Sequence, residues 1–330
     1  MQTPSGTTTE PRRSDRRSAI AVGAIAIAAT LLATLLGAPQ AQATITRKKA
    51  LNRPDVIATS GDLTDPWRVC ASSNETYDIR GLTSTGNFEE SNLSIGNDCG
   101  GSRVVSVGGT VIGTISHSLG WDEVKSTYDG AGLRFEGDVW MAAFGLSVQN
   151  VEDGFRPRVA DSTGGQSSVW FMLSGAYMDW IRDDAVEDDD LMSGVIKNVL
   201  IDGTNRFLSA RPPESSDRTN NGMSVKIRDV LVHMKEMPND RDEKDGTGFG
   251  GIFKWSDAAG TVDMSRAIVL LDEQPLTKEP FPPGVYSHVT IVLGPGFKGR
   301  YPGNLPDGVH VTRRMTIWTR ARTGWLEAHT

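Results

Sequence analysis

The chain has 330 residues, of which 38% are apolar and 7% aromatic, with a formal charge of −7. That is enough apolar material for one large β domain or two ordinary ones. An acidic chain with no basic stripe speaks against nucleic acid as a partner, since phosphate neutralisation supplies most of that affinity. Charge of this sign serves solubility and names no ligand.

Residues 1–43 have the layout of a secretory leader, and their Ala-rich style looks bacterial. A basic stretch precedes an apolar run from Ala19 to Leu36, and a small-residue site ends at Ala43. The pairs Arg12–Arg13 and Arg16–Arg17 fit general secretion or twin-arginine export. The expected product, Thr44–Thr330, is secreted and extracellular. Without the four arginines, one Glu and one Asp of the leader its formal charge is −9. No later stretch is apolar for long enough to span a bilayer, so the mature form is not expected to cross a membrane.

Residues 44–102 are mixed in composition and read as an N-terminal cap of short strands and loops. Cys70 and Cys99 both fall here, and an oxidising destination makes a disulfide the default reading. It would close a loop of about thirty residues and stabilise by roughly 3 kcal/mol. Two buried free thiols are the alternative. "SLGWDEVKSTY", at 118–128, carries a short helical signal.

Residues 103–330 read as a β domain. "RVVSVGGTVIGTI", "VWMAAFGLSVQNV", "VWFMLSGAYMDWI", "GVIKNVLI", "MSVKIRDVLVHM", "AIVLLDE", "YSHVTIVLG" and "VHVTRRMTIWTRA" are Val/Ile-rich runs separated by Gly, Asp, Asn or Ser. Helical periodicity over ten residues is scarce, so the class is all-β. Val139–Trp140 recurs as Val169–Trp170, Gly145 as Gly175 and Asp153 as Asp183, all at a spacing of 30. A shorter unit recurs as "VQNV", "MDWI", "IKNV" and "IRDV", and it assigns Asn150, Asn198 and Asp229 to one turn position, with Trp180 breaking the series. Very short strands joined by residues that tolerate the left-handed region suit a parallel β-helix, whose coils bury their inner side chains only against neighbouring coils.

On these residues the chain resembles the pectin-lyase-like superfamily of right-handed parallel β-helices, over about Arg103 to Thr330. A lectin-type β-sandwich is the alternative fold, and only "TNNGMSV" offers it a hairpin turn. The resemblance implies binding or cleavage of an extracellular polysaccharide or cell-surface glycan. In polygalacturonase-like hydrolases of that superfamily, aspartates stand on consecutive coils beside an exposed sheet. "VEDGF" and "RDDAV" are similar to their motifs, which carries a catalytic carboxylate role to Asp153, Asp183 and Asp184. Clustered carboxylates cannot all ionise together, so one stays protonated and can act as an acid. The histidine motif expected one coil later is absent, and "VKIR", with Lys226 and Arg228, matches the basic motif only loosely.

A polysaccharide lyase is the neighbouring possibility, using a base and a cation on acidic ligands. Arg156, Arg158, Arg182 and Glu187 would then bind substrate, and Trp180 would stack on a sugar. The bland readings are acids that hold turns, a solvated acidic loop at 184–190, and a tryptophan that only packs. "NDRDEKDGTGFG" places Asp240, Asp242 and Asp245 before Gly246, close to a calcium loop but without its downstream Glu. No motif requires a cofactor, and calcium is the cation these loops would take. The competing function is a non-catalytic surface or structural module.

Overall fold

The computed structural model describes residues 44–48, 55–71, 74–88, 90–96, 103–137, 140–159, 169–212, 219, 222–238, 247–277 and 280–329. Within them the chain coils as a parallel β-helix, successive turns adding short strands to three ladders. The first ladder runs through residues 55–58, 75–78, Arg103–Val107, Trp140–Phe144, Trp170–Ser174, 193–197, 224–228, 261–265 and 284–287. The second includes Thr110–Ile112, Ser147–Gln149, Tyr177–Asp179, 199–201, 230–234, 267–271, 289–293 and Val309–Thr312. The third runs Trp67–Cys70, Glu90–Gly96, Gly130–Glu136, Asp153–Arg158, Ile181–Glu187, 204–210 and Phe253–Trp255. All of these pairings are parallel.

Like side chains stack on like inside the coil. Trp67, Leu93, Leu133, Phe155, Val186, Leu208 and Phe253 are successive register partners of the third ladder and all belong to one core. Val111, Val148, Met178, Ile201, Val232, Val269 and Ile291 do the same for the second. On the first, the Phe171 ring takes the space beside Gly194. A Cβ at Gly194 would lie 2.3 Å from that ring, so the coil has room for one large side chain there.

The corners separate into two series, which corrects the single turn position expected for Asn150, Asn198 and Asp229. Asn198 and Asp229 lie between the first and second ladders. They continue a column of left-handed residues that begins with Gly108, Gly145 and Gly175 and ends with Arg266 and His288. Asn150 lies at the next corner, between the second and third ladders, with Trp180 beside it at the same φ of 55°. The tetrapeptide pattern is alike at both corners because each needs one residue turned back between two inward apolar ones. Trp180 therefore keeps the conformation without the residue type that favours it.

Parallel stacking begins earlier than residue 103. The strand Asp55–Leu63 pairs with Glu75–Thr85, which pairs onward with Arg103–Val107 and Thr110–Ile112, so the boundary expected near residue 103 lies inside the coil. Thr44–Lys48 runs antiparallel to Asp55–Leu63. Cys99 lies outside the described residues. "VHVTRRMTIWTRA" is only partly a strand: Val309–Thr312 pairs, and Met315–His329 forms a helix, α2. α2 lays Trp318, Ile317, Ala321 and Trp325 on Leu200, Leu231, Leu270 and Val292, closing the outer face of the second ladder. A shorter helix, α1, spans Trp121–Thr127.

Candidate functional site

The acids picked out in the sequence meet on the third ladder. The strand Ile181–Glu187 slips register between Ile181 and Asp184 against 204–210. Such an extra residue re-aims side chains locally, and here it falls at Asp183 and Asp184. Carboxylate oxygens of Asp153, Asp183 and Asp184 lie within 4.8 Å of one another. The Asp184 backbone N–H donates to Asp153 Oδ1 over 3.0 Å. Gly154 allows this approach, since a Cβ there would lie 2.6 Å from the Ala185 carbonyl and 2.7 Å from Met178 sulfur.

Each of the three carboxylates faces a cation. Arg156 donates to Asp153 and also pairs with Glu187. Lys125, on α1, lies 2.8 Å from Glu152 and 3.9 Å from Asp183. Lys254, on the next rung but one, lies 3.4 Å from Asp184. The neighbouring acids are tied to the backbone. Asp190 accepts from the Val159 N–H at 2.6 Å, Asp188 from Met192 at 3.0 Å and Glu152 from Gly130 at 2.7 Å.

This group is closed off from solvent. Asp153 and Asp184 are 0% exposed, Asp183 4% and Arg156 6%. The solvated acidic loop considered for 184–190 is therefore overturned, because Glu187, Asp188 and Asp190 are buried as well. The aspartates that the resemblance sets beside an exposed sheet are themselves buried here. Burial raises the Asp183 carboxyl to about 7, helped by Asp184 and Asp153. It raises Glu152 to about 9, with Asp153 adding to the effect and Lys125 opposing it. Glu187 and Asp188 are also pushed well above their ordinary range by burial. A carboxyl near 7 can give and take a proton at neutral pH, and the three converging oxygens could hold a cation. Lys125, Arg156 and Lys254 already supply positive charge at those oxygens.

The other expected residues go elsewhere. Arg158 lies 3.6 Å from Asp190. Arg182 donates to the carbonyls of Leu119 at 2.8 Å and Pro238 at 2.9 Å, fastening two covering segments to the ladder. Trp180 faces a separate recess of ≈ 340 Å³ lined by His117, Gln149, Asn150, Asp179 and Lys235 among others. Its ring stacks on His117 at a centroid distance of 4.1 Å and has the Lys235 ammonium at 4.8 Å. Asp240, Asp242 and Asp245 lie outside the described residues. Sequence reasoning missed Lys125, Lys254 and Glu152. Glu152 stands beside Asp153 in "VEDGF" and was legible; the two lysines become neighbours only through coiling.

No protein-family model matches this chain, and no curated protein and no solved structure matches it either.

Proposed function

We propose that the protein is an exported β-helix that binds an extracellular polysaccharide without cleaving it, a non-catalytic relative of the pectin-lyase-like superfamily. The leader-like N-terminus supports export. The Cys70–Cys99 disulfide belongs to the same proposal: Cys70 is the register partner of Gly96, three positions before Cys99. The observation that carries the binding reading is the burial of Asp153, Asp183 and Asp184, each already facing a cation. A glycosidic bond has to reach the acid that protonates it, and a polymer cannot enter this packing. What remains available to a long chain is a rigid exterior of repeated side-chain rows. A second reading, cleavage, draws on the Asp183 carboxyl near 7.

Incubating the purified mature chain with a panel of acidic and neutral polysaccharides separates the two. Binding reads as retardation in gels containing each polymer. Cleavage reads as new reducing ends for hydrolysis, or as ultraviolet absorbance of unsaturated products for lyase action. Retardation without products is expected, and products lost in Asp183→Asn would establish the second reading instead.

A further inference from the structure

Of the three ladders, two have covered outer faces. α2 packs over the second, and α1 with the segments held by Arg182 lies over the third. Over the first, no helix packs among the described residues. Alternation along its strands turns Met141 and Phe171 inward, so Trp140, Phe144, Trp170 and Met172 face out and are half-buried.

One outward row has an open end. Arg103, Trp140, Trp170 and Ser193 are successive register partners, and Ser224, bonded to Ser193, is the register partner of Thr261. The Arg103 guanidinium sits 4.4 Å from the Trp140 ring centre, and Trp140 and Trp170 stack at 5.4 Å with planes 9° apart. The stack stops there. On the far side of Trp170 the row continues with two serines, Ser193 Oγ accepting from the Ser224 N–H at 3.1 Å. Among the described residues no ring or cation lies on that indole face. Two short side chains in sequence leave a step about 10 Å long, at the spacing of parallel strands. It has an aromatic wall and a hydroxyl floor.

The surroundings are basic, although the whole chain is acidic. Lys197 and Lys226 are exposed on the two neighbouring outward rows and form no ion pair among the described residues, with Asp263 the register partner of Lys226. Arg228 adds a third cation, and Asp263, 3.5 Å from it, is the acid that partly offsets the group.

We infer that the outer face of the first ladder is the docking surface, and that it takes an anionic polysaccharide with one sugar ring laid on Trp170 over Ser193 and Ser224. This rests on the binding reading above and adds its place and charge. The C–H face of a pyranose matches the indole, its hydroxyls match the serines, and carboxylates along the polymer meet Lys197, Lys226 and Arg228. Charge complementarity of this kind sets selectivity and makes binding salt-dependent.

The test measures retention of the full mature chain by alginate as the polyuronate probe, dextran as the neutral probe and oligothymidylate as a polyanion of another class. Alginate should bind best and release at high salt. Trp170→Ala should weaken it about tenfold, the size expected for losing one aromatic anchor, and the double variant Lys197→Glu/Lys226→Glu, which reverses two charges, by at least as much. His310→Ala, an exposed position on the last strand of the second ladder, should leave it unchanged. Alginate binding that survives both sets of substitutions, retention by dextran alone, or tighter binding of oligothymidylate would overturn the assignment while leaving a glycan-binding function open to test elsewhere on the coil. Failure of every polysaccharide in the wider panel would overturn the binding reading itself.

Discussion

Asp184 and Asp153 are thirty-one positions apart, and the backbone N–H of the first donates to the carboxylate of the second over 3.0 Å. The bond crosses between neighbouring coils beside the register slip. One oxygen of Asp153 thus supports the backbone of the next strand, while Arg156 donates to the other.

Removing that acid should therefore cost stability. Asp153→Ala orphans the buried Asp184 N–H and takes one carboxylate from Arg156, which keeps Glu187, and leaving a buried donor unsatisfied costs about 1–3 kcal/mol. Urea denaturation should show a loss of this size, with Asp153→Asn milder because an amide oxygen still accepts. A change near zero would mean that the pair offsets only its own burial.

Asp183→Asn should behave differently, and its effect should depend on pH. The folded carboxyl titrates at about 7, far above its unfolded value. The folded state therefore holds a proton that the unfolded chain has lost, and stability drains away as pH rises from about 4 through 7. The amide removes that cost. Relative to wild type, the variant should gain on the order of 4 kcal/mol at pH 8 over pH 4. Melting temperatures at the two pH values check this, and equal differences would refute it.

His233 makes the C-terminal helix sensitive in the same direction. Burial works against its charged form, but Asp202 and Asp272 outweigh that and raise its pKa. Nε2 lies 2.8 Å from Asp272 and Nδ1 3.7 Å from Asp202, and Arg322 of α2 lies 2.5 Å from Asp202. The ring lies against Trp318 at 5.7 Å. This stabilisation is complete below the ordinary histidine pKa and is lost as pH rises through the elevated one. Amide exchange in α2 should accelerate above that pH, and His233→Gln should remove the transition. Exchange that steps identically in the variant would assign the effect to another group.

Two glycine-related positions give opposite expectations. Gly194→Ala drives a Cβ to 2.3 Å from the Phe171 ring and should cost about 1–3 kcal/mol through overpacking.

His288→Gly should instead stabilise. His288 is exposed with φ 54°, a conformation that costs a side-chain-bearing residue about 1–2 kcal/mol. The extra chain entropy of glycine offsets part of the gain. Guanidinium denaturation of both variants tests the pair, and a stabilising Gly194→Ala would show that the core can shift around the ring.

The coil was legible because its evidence is local and repeated. Val/Ile runs, the spacing of 30 and the turn-forming residues each report a few neighbours at a time, and the recurrence of Asp153 as Asp183 already placed those acids one coil apart. Which corner a turn serves was not legible, since "VQNV" and "IKNV" look alike at different corners. The fate of "RRMTIWTRA" was also hidden: a helix that lies on one finished face gains its stability from that face, and its own apolar pattern is weak.

The sequence alone thus determined a parallel coil and the convergence of its acids. Tertiary structure decided what those acids can do. Lys125 arrives from α1 and Lys254 from a rung seventy residues beyond Asp184, and covering segments exclude water from the cluster. Burial and charge pairing depend on every element packed around a group, so residues far along the chain, rather than the local motif, set the surroundings of these carboxylates.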